Sequence, residues 1–336
     1  MPRNGRPASK KKRQQEGKTQ DMAKAKIVIA LGGNALQDVN GEPTAEAQLA
    51  VVKKTCRYLA DIVCSDYQVA LVHGNGPQVG RIVLASETAR DVTPAMPFDV
   101  CGAMSQGYIG YHIQQGMREA LTERGCGDMP VVTLVTQVLV DRDDPGFRNP
   151  SKPIGPFYSE DDAGKIARAN GYVMKEDAGR GWRRVVASPL PIGIVEEDSI
   201  HRLWGNTVMV TCGGGGIPVI RRDDDRLEGV AAVIDKDFAA ELLAEKLDAD
   251  ILMIFTEVEK ISLNFRKSNQ VDLDSLTAGD ARKYIDEGHF APGSMLPKVM
   301  AAAKFAESAP GKKAIVTSLY SVMDALHGLT GTVVTD

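Results

Sequence analysis

The sequence predicts an α/β protein, a three-layer sandwich in which helices cover both faces of a central, mainly parallel β-sheet, with a small protruding subdomain. Two observations predict it. Short runs rich in β-branched residues recur along the 336 residues, and longer segments with helical spacing separate several of them. Alternation of strand, helix and strand is typical of a parallel sheet that is buried on both faces.

The strand-forming runs and the helical segments can be placed along the chain. The runs are Lys26–Leu31, Gln68–His73, Val131–Val140, Thr207–Cys212, Asp250–Phe255 and Lys313–Leu319. The helical segments include Glu46–Cys64, Gly102–Glu123 and Asp237–Leu247. We predict a first lobe over residues 24–225 and a second over residues 226–336. In sheets of this kind ligands bind beyond the carboxyl ends of the strands.

Residues 141–186 differ in composition from the segments around them. Pro145, Pro150, Pro153 and Pro156 crowd together, and the glycine- and charge-rich "KEDAGRGWRR" follows. Such a stretch predicts an inserted, protruding lobe or an ordered loop rather than another strand–helix unit. Its arginines, Arg180, Arg183 and Arg184, either contact phosphate or hold the lobe by pairing with Asp177 and Glu176. We favour the structural role for them, and a packing role for Trp182.

Charge and cysteine content narrow the class of protein. The whole chain has a formal net charge of −4, although residues 1–18 carry seven basic residues and one acid. We interpret residues 1–23 as a disordered basic tail, and the acidic remainder argues against nucleic acid as the main partner. The five cysteines form no CxxC pair, which favours reduced thiols in a cytoplasmic protein. No apolar run is long enough to cross a membrane.

Three glycine-rich turns follow strand-forming runs. They are "GGNA" from Gly32, "GNGPQVG" from Gly74 and "GGGG" from Gly213. A turn of exposed N–H groups that leads into a helix binds anions, because its unpaired donors and the helix dipole favour negative charge. Three turns on one parallel sheet would meet at one edge, which predicts an anion-binding site.

The spacing excludes two common nucleotide motifs. "GNGPQVG" resembles a dinucleotide-binding GxGxxG with one residue added, but the acid expected about twenty residues later falls in the proline-broken "DVTPAMP". Pro77 also removes one N–H from this turn. A GxxxxGK[ST] phosphate loop is absent from the sequence. An NAD-dependent dehydrogenase and a P-loop enzyme are therefore disfavoured.

Three lysines could neutralise a phosphate. Lys236 lies between two aspartates in "VIDKDFA", Lys298 follows a Gly/Pro loop in "HFAPGSMLPK", and Lys152 lies in the proline-rich insertion. Each alone is more commonly a surface lysine beside an acid. Together with the glycine turns, they indicate phosphate chemistry.

Several longer stretches resemble the carbamate kinases of the amino-acid kinase superfamily. They include "HGNGPQVG", "AMPFDVCGAMSQGYIGY", "NPSKPIGPFYSE", "CGGGGIPV", "GVAAVIDKDFAAELLA" and "GHFAPGSMLPKV", in family order from about residue 26 to the C-terminus. The resemblance implies reversible transfer of phosphate between ATP and carbamate, giving ADP and carbamoyl phosphate. In arginine breakdown this reaction runs toward ATP. It also implies Mg²⁺ and a homodimer.

The resemblance assigns site residues. Carbamate would contact Gly32, Gly33, Asn34, Gly74, Asn75, Gly76, Gly214 and Gly215, and Asn34 could equally be a helix cap. The catalytic residues would be Lys152, Lys236 and Lys298, with Asp237, and as second choice Asp235, orienting Lys236. The nucleotide would lie near Lys236, Asp237, Thr256, Glu257, Val258, Phe265, Met295 and Lys298, with no dedicated metal ligand.

Two other functions remain open at this point. One is another kinase of the superfamily, acting on acetylglutamate, aspartate or UMP. The acetylglutamate branch carries a lysine in the first strand where this chain has Ala30, and this argues against it. The other is a non-catalytic nucleotide-sensing relative. The presence of all three lysines argues against that one.

Overall fold

The computed structural model describes residues 24–38, 41–177 and 179–336, which contain both strands and helices. The strands are β1 Lys26–Leu31, β2 Gln68–His73, β3 Val131–Thr133, β4 Gln137–Val140, β5 Lys152–Tyr158, β6 Val173–Glu176, β7 Trp182–Val186, β8 Pro191–Ile194, β9 Val208–Val210, β10 Ile217–Arg221, β11 Leu227–Gly229, β12 Ile251–Thr256, β13 Ile261–Leu263, β14 Val271–Leu273, β15 Ser275–Thr277, β16 Lys313–Ser318 and β17 Thr332–Thr335. The helices are α1 Ala45–Cys64, α2 Gly76–Thr88, α3 Phe98–Glu123, α4 Pro145–Arg148, α5 Glu160–Asn170, α6 Glu197–Leu203, α7 Lys236–Lys246, α8 Ala278–Asp286, α9 Met295–Glu307 and α10 Val322–Leu326. The basic tail predicted at residues 1–23 lies outside the described residues.

An eight-stranded sheet forms the middle layer, in the order β15-β17-β16-β12-β1-β2-β9-β3. From β16 to β3 every neighbouring pair is parallel, and only the β16–β17 pair is antiparallel. The chain builds outward from β1 in both directions, so β1 and β12 mark the place where the strand order reverses. This sheet confirms the predicted three-layer α/β fold, and it places the carboxyl ends of β1, β2, β9 and β12 on one edge.

Each face of the central sheet packs against helices to form a hydrophobic core. Alternating side chains of each strand belong to one core or the other. In β1, Val28 and Ala30 belong to the core beneath α7 and α9, whereas Ile27, Ile29 and Leu31 belong to the core beneath α1 and α3. A strand covered on both faces must be apolar at every position, which is why the run "KIVIAL" shows no polar alternation after its first residue. No helix of the described segments combines the length and apolarity that crossing a bilayer requires.

Residues 131–140 do not form the single strand that their composition predicts. β3 ends the central sheet, while β4 pairs with β10 and β8 in a separate four-stranded sheet. The break falls at Thr136, whose N–H donates to the side chain of Gln106 at 2.8 Å and whose hydroxyl lies 2.8 Å from that of Thr211. A buried side chain thus takes the hydrogen bond that a continuous strand would have used.

Part of the inserted segment contains regular structure that its proline content did not predict. β5, β7 and β6 form an antiparallel sheet, and α5 packs against β6 and β7. Pro153 and Pro156 lie on β5, an outer strand where missing N–H groups are tolerated. The segment therefore forms a small lobe with a sheet of its own, as one of the two predicted alternatives, rather than another strand–helix unit of the central sheet.

The expectation of five reduced thiols is also wrong. Cys64, the last residue of α1, and Cys126, just beyond α3, form a disulfide with Cα atoms 6.2 Å apart. Cys56, Cys101 and Cys212 are free and buried. The disulfide ties the ends of the two helices that cover one face of the sheet.

Candidate active site

Three glycine turns meet at the carboxyl edge of the central sheet. Gly32–Asn34 follows β1, Gly74–Gly76 follows β2, and Gly213–Gly215 follows β9 after two residues. These strands are neighbours in the order β1-β2-β9, so their turns lie side by side. The structure thus brings together the glycines that the sequence assigns to the acceptor substrate.

Glycine occupies these positions for two different reasons. A Cβ on Gly33 or Gly76 would meet nothing within 4 Å, so these turns face open space. Gly214 has φ +70°, and a Cβ there would lie 2.2 Å from the Asn75 amide nitrogen; one on Gly215 would lie 2.1 Å from the Ile234 carbonyl oxygen. The first pair leaves room for a ligand. The second pair is required by the packing of the protein itself.

The two asparagines hold the turns to neighbouring elements. Asn34 donates a short hydrogen bond to the carboxylate of Glu257, directly after β12, and the short helix that contains it is preceded by Gly32 without a side-chain cap. The interpretation of Asn34 as a helix cap is therefore wrong. The side chain of Asn75 donates to the hydroxyl of Ser105 on α3 at 2.8 Å. Both amides are positioned before any substrate binds.

Two aspartates gather the three lysines. Lys152 Nζ lies 2.8 Å from Asp235, while Lys298 Nζ lies 2.8 Å and Lys236 Nζ 3.1 Å from Asp237. Asp237 therefore holds Lys236, as predicted, and Lys298 as well. Asp235 has a role that sequence reasoning did not find. It binds the lysine of the inserted lobe, and it caps α7 by accepting from the Asp237 N–H at 3.1 Å.

The cluster keeps its charges although it is largely buried. Burial opposes ionisation of Asp235, but Lys152 and Lys236 lower its pKa to about 2. Burial also opposes the charge on Lys236, yet the two aspartates raise the pKa of that amine. For Lys298, burial and the nearby Lys236 lower the pKa more than Asp237 raises it. Three lysines against two aspartates leave a local excess of positive charge, which suits a phosphate.

A cleft of about 1010 Å³ opens beside this cluster. Its lining contains all but one of the residues assigned to the nucleotide: Lys236, Thr256, Glu257, Val258, Phe265, Met295 and Lys298. It also contains Gly32, Gly33 and Asn34, so the acceptor turn and the cleft are continuous. Asp237 is the exception, because it is buried behind its two lysines. Phe265 is 44% exposed, so it is not ordinary core packing.

The cleft includes further residues that the sequence did not single out. Arg266, Lys267, His289 and Tyr320 also line it. Arg266 and Lys267 follow directly after Phe265, and a basic pair behind an aromatic residue in the turn after β13 was the available signal. Tyr320 lies two residues beyond the end of β16, in a stretch without a recognisable polar motif.

Comparison with known proteins identifies the family. Residues 25–318 match the amino acid kinase family. The carbamate kinase of Clostridium perfringens is 53% identical over 311 residues, which cover 91% of this chain and 98% of that protein. The chain belongs to the carbamate kinases of the amino acid kinase family. The carbamate kinase of Pyrococcus horikoshii is 49% identical over 313 residues, covering 92% of this chain and 99% of the relative.

A solved carbamate kinase has the same fold. The enzyme from Giardia lamblia, determined with AMP-PNP bound, superposes with a TM-score of 0.88 at 42% identity, covering 93% of this chain and 99% of that one. This likeness confirms the amino-acid kinase fold that the sequence motifs predicted.

Contacts with α2 place the inserted lobe of this carbamate kinase family member. The hydroxyl of Tyr172 donates to Glu87 at 2.7 Å, and Arg184 lies 3.7 Å from the same carboxylate. Arg180 and Arg183 instead pair with Asp177 inside the lobe, at 2.9 and 3.1 Å. All three arginines thus have carboxylate partners, as the structural interpretation predicts, although the partner of Arg184 is not one that the sequence indicated.

Proposed function

We propose that the protein is a carbamate kinase that reversibly transfers a phosphoryl group between ATP and carbamate, giving ADP and carbamoyl phosphate. One observation carries the proposal. Lys152, Lys236 and Lys298 meet on two aspartates between the glycine turns and a cleft large enough for a nucleotide. Phosphoryl transfer needs this arrangement, because its catalysis consists mainly of aligning two anions and neutralising the charge that spreads over the moving group.

The acceptor side suits a very small anion. Carbamate has few atoms, so main-chain N–H groups are appropriate partners for it, and the turns at Gly33 and Gly76, where a Cβ would meet nothing within 4 Å, leave room for it to approach the backbone. Its attacking oxygen is already anionic at neutral pH, and the reaction therefore requires no general base. The acids of the cluster fit this requirement: Asp235 and Asp237 are engaged by lysines and serve to hold them rather than to accept a proton.

Each lysine has a proposed role. Lys152, from the inserted lobe, would contact carbamate and the transferred phosphoryl group. Lys236 and Lys298 would bind the phosphates from the nucleotide side. Because the aspartates hold all three amines before substrate arrives, little reorganisation is needed when the transition state forms.

The nucleotide side fits ATP or ADP with Mg²⁺. Two carboxylates, Glu257 and Glu287, are part of the cleft lining, and Mg²⁺ commonly uses one or two carboxylates together with substrate phosphates. We propose that Glu257, beside the acceptor turn, is the carboxylate closest to such an ion. When bound, Mg²⁺ neutralises charge on the β and γ phosphates. Phe265 and Met295 would flank the base.

The decisive experiment is formation of ATP from ADP and carbamoyl phosphate with Mg²⁺. The forward reaction would be repeated with carbamate, acetylglutamate, aspartate and UMP. We expect turnover with carbamoyl phosphate and with carbamate only. Turnover of another acceptor would establish a different kinase of the superfamily. A folded protein that binds ADP but turns over none of them would establish a nucleotide-sensing relative.

We also propose a homodimer that assembles through α3. Val100, Met104 and Tyr111 are spaced so that they share one face of this helix, and they are 38%, 49% and 57% exposed. Exposed apolar side chains that share one helix face are typical of an interaction surface. Light scattering should give twice the chain mass of 36.1 kDa. A monomer at micromolar concentration would contradict the proposal.

The proposed setting is the cytoplasm, with ATP synthesis during arginine catabolism. The buried free thiols Cys56, Cys101 and Cys212 agree with that compartment. The Cys64–Cys126 disulfide does not, because disulfides are rare there. In a cytoplasmic setting the cellular thiol-reducing systems keep such a pair reduced, so alkylation of the protein in a fresh lysate, followed by mass spectrometry, is expected to find Cys64 and Cys126 as thiols in the cell. Persistent oxidation would contradict the cytoplasmic assignment.

A further inference from the structure

A buried histidine lies directly beneath two of the glycine turns. His73, the last residue of β2, is completely buried. Its Nδ1 lies 2.8 Å from the carbonyl oxygen of Gly74, and its Nε2 has no hydrogen-bond partner among the described residues. A carbonyl oxygen can only accept, so Nδ1 carries the proton. Burial lowers the pKa of His73 to about 4, and the ring is therefore neutral near pH 7.

The same ring is packed against the third turn. A Cβ on Gly213 would lie 2.5 Å from His73 Nε2, so the backbone of that turn sits directly against the imidazole. Gln106 on α3 donates to the Gly213 carbonyl oxygen at 2.9 Å and also holds the turn. The imidazole is thus in contact with the turn after β2 and the turn after β9 at once.

The hydrogen bond to Gly74 has a consequence for the next amide. The peptide bond between Gly74 and Asn75 is planar and trans, so its N–H points opposite to its carbonyl oxygen. Fixing the oxygen on the imidazole directs the Asn75 N–H away from it. Within the described residues this N–H has no acceptor. It is left as a donor at the edge where the acceptor substrate is proposed to bind.

We propose that His73 is a positioning residue. Through Nδ1–H it fixes the Gly74–Asn75 peptide so that the Asn75 N–H is presented to the anionic acceptor group, and through its flat ring it sets the spacing between this turn and Gly213. This inference rests on the proposed function. It is independent of nucleotide binding, because the residues that line the nucleotide cleft do not include His73.

Two substitutions separate the Nδ1 contact from simple filling of space. In His73→Asn the amide nitrogen can take the place of Nδ1, whereas in His73→Gln it reaches the place of Nε2. We expect His73→Asn to keep the KM for carbamoyl phosphate within about threefold of wild type. His73→Gln and His73→Phe should raise it about tenfold, the typical effect of one lost hydrogen bond. The KM for ADP should stay within about twofold in all three variants.

The opposite pattern would overturn the proposal. If His73→Gln or His73→Phe performs as well as His73→Asn, or if the KM for ADP rises in parallel, His73 acts only through packing. Urea unfolding of each variant identifies those that fail to fold. A second measurement needs no variant and no turnover: ¹⁵N NMR of the intact wild-type protein should show His73 as the Nδ1–H tautomer at pH 7. The Nε2–H tautomer would refute the inference even if the protein proves to be a carbamate kinase. Conversely, this tautomer can be confirmed even if the wild-type protein fails to use carbamoyl phosphate.

Discussion

Lys152→Ala is expected to lower kcat roughly 100-fold or more, because removal of one preorganised group that stabilises transition-state charge typically has an effect of that size. Lys152 is the only one of the three clustered lysines that comes from the inserted lobe, and its amine lies 2.8 Å from Asp235 at the start of α7. The measurement is steady-state ATP formation from ADP and carbamoyl phosphate. The KM for ADP should change little, since Lys152 is not part of the nucleotide cleft.

The inserted lobe provides a matched control. Lys165 on α5 is 69% exposed, and among the described residues its only ion-pair partner is Asp162, one turn earlier, at 3.0 Å. Lys165→Ala removes a lysine from the same lobe and should leave kcat unchanged. Lys152→Arg keeps the charge but not the geometry, so we expect an intermediate loss. Near-normal turnover of folded Lys152→Ala would show that this lysine does not act on the reacting groups.

The fold could be predicted where a local sequence pattern follows from a single structural requirement, such as burial on both faces of a sheet. Runs such as Lys26–Leu31 are apolar throughout because helices cover both faces of the sheet, and the run predicts a buried parallel strand without knowledge of its partners. The run from Val131 to Val140 wrongly predicts one continuous strand. The chain leaves the central sheet at Thr136, whose N–H is bound by the side chain of Gln106, thirty residues earlier in the chain. Local composition contains no record of a tertiary hydrogen bond of that kind.

The candidate site also has parts that the sequence could predict and parts that it could not. Glycine turns after strands could be found from sequence, since backbone conformation restricts the residue type. The partners of the lysines could not be assigned in full. Asp235 and Asp237 flank Lys236 in sequence, and the family resemblance indicates Asp237 as its partner without showing that Asp235 binds Lys152 of the inserted lobe. His73 begins the stretch "HGNGPQVG", but nothing in that stretch shows that its ring contacts the Gly74 carbonyl oxygen and the Gly213 turn.

Asp237→Ala is expected to destabilise the protein by about 3–5 kcal/mol, the usual cost of removing one partner from a buried ion pair. The side chain of Asp237 is 1% exposed, and it is bound by both Lys236 and Lys298, whose side chains are 14% and 13% exposed. Without this carboxylate two like charges would face each other in a largely buried site. Their pKa values should fall, and the reaction should slow because neutral amines cannot stabilise phosphate. Urea unfolding and the kinetic assay measure the two effects.

Binding of ADP should restore part of the stability that Asp237→Ala loses. ADP brings phosphate charge to the same two lysines, and a ligand that binds only the folded state adds to its stability. Saturating ADP is therefore expected to raise the melting temperature of Asp237→Ala by more than it raises that of the wild type. Asp162→Ala, which removes an exposed carboxylate from a surface ion pair on α5, is the control and should respond to ADP like the wild type. If Asp237→Ala is as stable as the wild type, or if ADP stabilises both equally, then Asp237 does not hold the two lysines for phosphate.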